Sequence, residues 1–336
     1  MSRDEFVFIQ ESSPDWSQLD LLRDRTIAQT REWVDFVAET QKAQPVMARI
    51  LRNNESVGWF TGLIVRKLGL RILGSPFPGW TTSYMGFNLS EGVDRGEVMK
   101  ALFKFAFRDL GCVHVELMDR HIPLGIVQSR RIAHRVFHGY EIDLTQDESS
   151  IFSNMASSCQ RCIRKAEKTG VTIQPSTDVE FAADFYNLLC EVFARQRLVP
   201  TYSLERVESL IRHLCPTGRL LLLRARDSEN RCIATGIFPA FNDTMYFWGG
   251  AGNHEYQHLR PNEAIHWYAM RYWKERGIAK YDMGGGGEYK KKYGGVEIAV
   301  PWVRKSRNAF FPVLRELARV SQSLRQRVEG LRRSIR

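Results

Sequence analysis

No run of about 18 apolar residues occurs anywhere in this chain of 336 residues. Its first residues, Met-Ser-Arg-Asp-Glu-Phe, show no basic stretch followed by an apolar one. A membrane-spanning helix and an export signal are therefore not expected, and the reading is a soluble, cytoplasmic protein. Cysteine is sparse: Cys112, Cys159, Cys162, Cys190, Cys215 and Cys232 are too few and too scattered for a disulfide framework, so reduced thiols are expected. Neither Gly-x-Gly-x-x-Gly opening a helix, nor a Walker A sequence, nor a Gly-x-Ser-x-Gly elbow is present. Their absence argues against a dinucleotide fold, a P-loop nucleotidase and a serine hydrolase. Metal-ligand patterns are missing too. His134 and His138 stand four apart, but no Glu follows the first, and 135–143 reads as a strand, on which that spacing separates the side chains. No metal is expected.

The chain does hold enough apolar residues, 43%, for two medium domains with cores of their own. Its formal charge of +10 is unevenly placed: from Arg304 to Arg336 ten Arg or Lys face two Glu, a net +8 that leaves +2 for the rest. In that tail Phe310, Val313, Leu314, Leu317, Val320, Leu324, Val328, Leu331 and Ile335 recur at helical spacing, which predicts a basic amphipathic helix over about 310–335. Such a helix either packs its stripe on the body or lies peripherally on an anionic membrane.

An internal repeat lies within the body. Arg52-Asn-Asn-Glu-Ser-Val-Gly-Trp-Phe-Thr-Gly-Leu-Ile64 aligns without a gap on Arg226-Asp-Ser-Glu-Asn-Arg-Cys-Ile-Ala-Thr-Gly-Ile-Phe238. Each copy reads as strand, polar turn, strand, with a helix upstream at about 26–40 or 203–214. A polar stretch at Gln146–Ser150 suggests the join. The expected domains are a first lobe over 1–148, a second over 149–305 carrying the site, and a tail over 306–336.

In the second half the patterns predict helices at 154–169, 178–196 (with Thr177 and Glu180 as a capping box), 203–214 and 262–276, and strands at 220–225, 231–241, 244–248, 278–283 and 296–304. Pro261 and Gly277 bracket the 262–276 helix. Helices on a mixed, largely antiparallel sheet follow, an α+β class.

The helix at 154–169 has two faces. Met155, Cys159, Cys162, Ile163 and Ala166 share one, which makes the Cys159–Cys162 pair core packing rather than a zinc or redox site. Arg161, Arg164, Lys165 and Lys168 share the other, which is either solvated surface or the wall of an anionic substrate site.

Two neighbouring strand ends are rich in glycine. One is Gly249-Gly-Ala-Gly252, following Trp248 and preceding the helix that opens at Pro261 and Asn262; the other is the run Tyr281-Asp-Met-Gly-Gly-Gly-Gly-Glu-Tyr-Lys-Lys-Lys-Tyr-Gly294. Glycines admit close approach of a ligand, helix N-termini attract anions, and lysines add charge. A flexible loop with a solvated charge run is the plainer alternative.

The order Ile142-Asp-Leu, Arg161-Cys-Ile-Arg-Lys-Ala-Glu-Lys-Thr-Gly-Val171, Tyr281-Asp-Met-Gly and Tyr289-Lys-Lys-Lys-Tyr-Gly-Gly295 resembles the second lobe of FemAB-like acyltransferases. These include the aminoacyl transferases of peptidoglycan bridges and the CelD/BcsL-type acetyltransferases of exopolysaccharide loci. The last motif is similar to that family's Phe-Lys-x-x-Phe-Gly-Gly. The resemblance covers about 26–304 and implies two tandem GNAT-like (acyl-CoA N-acyltransferase-type) lobes. It implies transfer of an acyl or aminoacyl group, from acyl-CoA or aminoacyl-tRNA, to an amine of an amino sugar or of a cell-wall or exopolysaccharide precursor. By the same resemblance Lys290 binds phosphates or stabilises charge at the acyl centre, with Arg161, Arg164 and Lys165 lining its cavity. Glu288 and Asp282 are the nearby carboxylates for a catalytic role; Trp248, Gly250, Asn262 and Tyr289 are the further substrate-binding candidates. The loop 252–260 lacks the Arg/Gln-x-x-Gly-x-Gly/Ala pattern of acyl-CoA enzymes, and a helical-hairpin arm found in some transfer-RNA-dependent members has no counterpart, so the donor stays open between the two. A non-catalytic binder of an anionic glycan or lipid-linked intermediate is the competing class.

Overall fold

The computed structural model describes residues 5–178 and 180–308. The basic helix expected over about 310–335 lies outside them. Two compact units are present: one holds the residues up to His138 and the segment beginning at Ala299, the other Gly139–Ile298.

In chain order the first unit contains β1 (Phe6–Gln10), α1 (Trp16–Leu19), α2 (Arg31–Gln41), β2 (Gln44–Arg52), β3 (Glu55–Lys67), β4 (Leu70–Ser75), β5 (Gly86–Leu89), α3 (Arg95–Arg108), β6 (His114–Met118) and α4 (Leu124–Ser129). β7 (His134–Asp143) crosses into the second unit, which continues with α5 (Glu148–Asn154), α6 (Ser157–Lys168), β8 (Thr172–Ser176), α7 (Glu180–Arg195), α8 (Leu204–Leu214), β9 (Leu220–Arg226), β10 (Cys232–Phe241), β11 (Thr244–Tyr246), β12 (Gly249–Gly252), α9 (Pro261–Lys274) and β13 (Lys280–Gly285). β14 (Val296–Ser306) leads back into the first unit.

The two units repeat one plan. β2 and β3 pair antiparallel, as do β9 and β10; β4 and β5 both lie antiparallel on β3, as β11 and β12 do on β10. In each unit a helix, α3 or α9, then crosses to a strand that pairs parallel with the third one: β6 with β4, β13 with β11. The aligned segments 52–64 and 226–238 fall on corresponding hairpins. Asn53, Asn54 and Asn230 take the left-handed turn conformation that Asn tolerates. The fold is thus two tandem GNAT-like lobes.

The boundaries differ from 148/149 and 305/306. Residues 139–143 belong to the second unit because Ile142 and Asp143 pair with Tyr281 and Lys280 of β13. The end of β14 belongs to the first because Trp302 to Ser306 pair with Met118 to His114 of β6. Local polarity at 146–150 marks a real break between β7 and α5, but pairing partners distant in sequence set the unit edges.

Each unit has its own core. Phe8, Phe60, Phe87, Leu102 and Phe105 fill the first, and Leu223, Phe238, Met245, Trp273 and Tyr281 the second. α9 contributes because Ala264, Ile265, Trp267, Met270 and Trp273 recur on its buried side. It starts with Pro261 at its first position, and Gly277, at φ 83°, donates its N–H to the Lys274 carbonyl just past its end. The N-terminus of α7 is held by Asp178 instead of Thr177: its Oδ1 accepts the Phe181 N–H at 2.8 Å, and Arg224 ties the same carboxylate to β9. No helix among the described residues is long and apolar enough to cross a membrane.

Candidate active site

The parallel pairing of β11 with β13 stops at Tyr246 and Asp282, and the Phe247 N–H donates to the Asp282 carbonyl at 2.9 Å as its last bond. Beyond that point β12 pairs with β10 and not with β13, so the two strands part. The gap is edged by Gly249–Gly252 on one side and Met283–Gly285 on the other. The glycines there leave the backbone itself as the lining, and strand edges offer hydrogen-bonding groups.

Across the foot of this gap sits Lys290. The glycine run that follows β13 folds into a short 3-10 turn, Glu288–Tyr293, rather than a loose charge run. Gly287 makes the reversal: its φ is 79°, and a Cβ there would lie 2.5 Å from the Tyr289 ring. The turn buries Lys290 and Tyr293 and leaves Tyr289 half exposed. Lys290 Nζ donates to the Met283 carbonyl at 2.6 Å and to the Gly285 carbonyl at 2.8 Å, with the Phe247 ring 5.7 Å away. Burial pulls its pKa down to about 8, against the opposing pull of the Asp282 carboxylate. An ammonium has three N–H donors, so two carbonyls leave one for a ligand.

Beneath Lys290 lies a buried polar pair that local sequence patterns do not reveal. His266 Nδ1 of α9 lies 2.6 Å from the Tyr281 hydroxyl of β13, among the rings of Phe238, Phe247 and Tyr293. Burial, reinforced by Lys290 and Lys292, lowers the imidazole pKa to about 3, so the ring is neutral and one proton joins it to the phenol oxygen. Burial also pushes Tyr281 and Tyr293 well up. A further ion pair, Lys292 Nζ to Glu263 Oε1 at 2.6 Å, joins the turn to the first turn of α9.

The expected residues divide by position. Lys290, Asp282 and Tyr289 come together. Asp282 is fully buried and its Oδ1 accepts the Gly284 N–H at 2.7 Å, which holds the strand end. Glu288 is exposed. Gly250 and Asn262 lie exposed on either side of the loop that follows β12. Trp248 turns the other way from Phe247, because neighbours on a strand alternate faces, and packs on Phe185 and Tyr202 of the α7–α8 layer. α6 is hung on the lysine turn, the Ala156 N–H donating to the Lys292 carbonyl, and buries Cys159, Ile163 and Ala166. Burial pushes the Cys159 thiol up to about 12, as packing rather than redox chemistry requires. Arg161, Arg164 and Lys165 point to solvent, with only Arg164 placed over an aromatic ring, that of Phe152. No described hydrogen bond or ion pair joins them to Lys290.

In the first unit the corresponding strand ends are joined. Asp119, just past β6, accepts the Phe87 N–H of β5 at 3.0 Å, and Met85 N–H donates to the Met118 carbonyl. Arg95 lies 2.9 Å from Asp119 and 2.7 Å from Asp24, and with Asp24, Asn88 and Leu89 it lines a cavity of about 530 Å³.

Residues 153–292 match the acetyltransferase (GNAT) domain family. No curated protein matches the chain in sequence. Among solved structures, FemX is similar over 88% of this chain and 97% of its own, with TM-score 0.68 and 13% identity. A tandem GNAT protein from the clavulanic acid biosynthesis pathway is similar over 89% and 97%, with TM-score 0.52 and 12% identity. The structure of L-PGS from Bacillus licheniformis is similar over 91% and 96%, with TM-score 0.54 and 11% identity. At such identities the likeness is one of fold.

Proposed function

We propose that the protein is an N-acyltransferase that moves an acyl or aminoacyl group onto an amine of an amino sugar or of another cell-wall or exopolysaccharide precursor. The observation that carries this reading is Lys290, buried and held by the Met283 and Gly285 carbonyls where β12 and β13 part. The GNAT domain match over 153–292 supports it.

The acceptor amine attacks the donor's ester or thioester carbonyl, the new C–N bond forms, and the carbonyl oxygen gains negative charge. The remaining N–H of the Lys290 ammonium donates to that oxyanion in a site where little water competes. Collapse expels the carrier's alcohol or thiol, which takes up the proton the amine gives away. Glu288 is the carboxylate available for that transfer, since Asp282 already accepts the Gly284 N–H. The exposed Arg161, Arg164 and Lys165 guide an anionic precursor, and the basic segment over 310–335 docks at an anionic membrane surface where such precursors reside.

The test is transfer to a panel of amino sugars and lipid-linked precursors, with acetyl-CoA and aminoacyl-tRNA supplied separately and products read by mass spectrometry. Product from wild type but not from Lys290→Ala is expected. Tight binding of a glycan precursor with no product from either donor would favour a binding protein instead.

A further inference from the structure

We propose that the first unit carries a binding site for an uncharged saccharide, in the cavity of about 530 Å³ framed by residues 22–24, the start of β3 and the β5–α3 connection. Its volume lies within the range of small-molecule sites, about 300–1,000 Å³.

The register of the sheet builds this cavity. Trp59 of β3 stands directly opposite Asn88 of β5, so the two side chains share a face, while their neighbours Phe60 and Phe87 turn to the core. Asp24 ties the 22–24 segment to the Asn88 face. Its Oδ1 accepts from Asn88 Nδ2 at 3.2 Å, and its Oδ2 accepts from the Leu89 N–H at 3.0 Å and from Arg95 at 2.7 Å.

The lining has the chemistry that a hydroxylated ring requires. Trp59 is half-buried there, with no ring or cation stacked on its indole among the described residues. The negative face of an indole attracts the polarised C–H groups of a sugar ring. Three hydrogen bonds leave the Asp24 carboxylate about one acceptor position unfilled. Glu91 and Arg23, also in the lining, are exposed and make no described side-chain hydrogen bond or ion pair. Sugar hydroxyls both donate and accept, so they suit carboxylate acceptors and a guanidinium donor in one cavity.

Charge argues against an anionic ligand. Arg23 and Arg95 balance Asp24 and Glu91 in the lining, and Arg95 is further engaged by Asp119 at 2.9 Å. The N–H groups of Gly96 and Glu97 at the start of α3 already bond to Asp94 Oδ1, at 2.7 and 3.2 Å. A phosphate would find Arg23 alone, with two carboxylates lining the same cavity.

The duplicated hairpin shows that the fold does not itself need an indole here. In the second unit the position aligned with Trp59 is Ile233, which is fully buried in the core. An aliphatic side chain satisfies the plan in one unit, and the other presents an aromatic face to a cavity.

Calorimetric titration of the full-length protein with neutral disaccharides (cellobiose, maltose, lactose and N,N′-diacetylchitobiose) tests the site, with inorganic phosphate as the anionic control. Saturable binding of at least one disaccharide is expected, with Kd on the order of 1 mM or tighter. It should weaken about tenfold or more in Trp59→Ala and in Glu91→Lys. Glu91 is exposed, so its variant keeps the wild-type melting temperature and serves even if Trp59→Ala folds poorly. No saturable binding of any disaccharide, or unchanged affinity in either folded variant, would overturn the proposal. So would phosphate binding tighter than every disaccharide and lost in Arg23→Ala, which would make the cavity an anion site. The titration reads binding alone, so its outcome is separate from whether acyl transfer takes place.

Discussion

Lys290 Nζ donates to the carbonyl of Met283, seven residues earlier in the chain, at 2.6 Å. The bond folds the lysine back onto the end of its own strand and brings a cation into an opening lined by backbone. Losing it should be a chemical defect rather than a structural one. Lys290→Ala is expected to lower kcat/KM by about 100- to 1,000-fold, the range for removing an oxyanion donor. Turnover within about threefold of wild type in a folded variant would show that Lys290 has no such role.

The same burial sets the pH dependence. The ammonium form is the donor, and its pKa is down to about 8, so kcat/KM should fall as pH rises through about 8. In Lys290→Arg any residual activity should lack this limb, because guanidinium does not titrate there. For stability the sign is opposite. Between about 8 and the lysine's ordinary 10.5 the unfolded chain binds the proton more tightly than the folded one. The folded state therefore carries a cost that is full below about 8 and fades as pH rises. Lys290→Met should accordingly leave the melting temperature at pH 7 unchanged or raise it by a few degrees.

His266 and Tyr281 test a second buried balance. With the imidazole pKa lowered to about 3, the unfolded chain binds a proton below about 6.5 that the folded chain refuses. Stability should be complete above about 6.5 and decline as pH falls from there toward about 3. Tyr281→Phe leaves His266 Nδ1 without its partner and should cost about 1–3 kcal/mol in urea unfolding at pH 7. His266→Phe should flatten the acid decline; an unaltered decline would assign it to other groups.

In the first unit, Arg95→Met strands the fully buried Asp119 carboxylate, which burial pushes toward protonation and Arg95 holds back. A loss of about 3–5 kcal/mol is expected, with much of it recovered in the double variant with Asp119→Asn. Activity per folded molecule should stay near wild type, because the proposed chemistry lies in the second unit. A selective loss of kcat would assign the first unit a part in turnover.

Reversing Arg161 and Arg164 to Glu should leave the melting temperature within a degree or two, since both side chains are exposed. Binding of a phosphate-bearing precursor should weaken and depend less on salt. Equal affinity and equal salt slope would make this face ordinary solvated surface.

Much of this was legible along the chain because the signals are local. The hairpin at 52–64 and its counterpart at 226–238 carry turn residues and strand residues in fixed order, and a duplicated sequence folds into a duplicated plan. Pro261 and Gly277 mark the ends of α9, since one lacks an N–H and the other tolerates φ of 83°. The alternation of cations with Cys159, Ile163 and Ala166 already sorts α6 into two faces. Which groups meet across the sheet follows from no such period. Lys290 is the first member of a lysine triplet, and only the 3-10 turn buries it while its neighbour Lys291 stays exposed. His266 and Tyr281 meet because α9 packs across the sheet that holds β13. Asp119 and Arg95, 24 positions apart, tie the strand ends of the first unit together, while in the second unit the strands part beside Gly284. Short-range sterics and periodicity write elements into a sequence; pairing register and crossover packing, which join residues far apart in it, decide where strand ends are tied together and where they part beside a lysine.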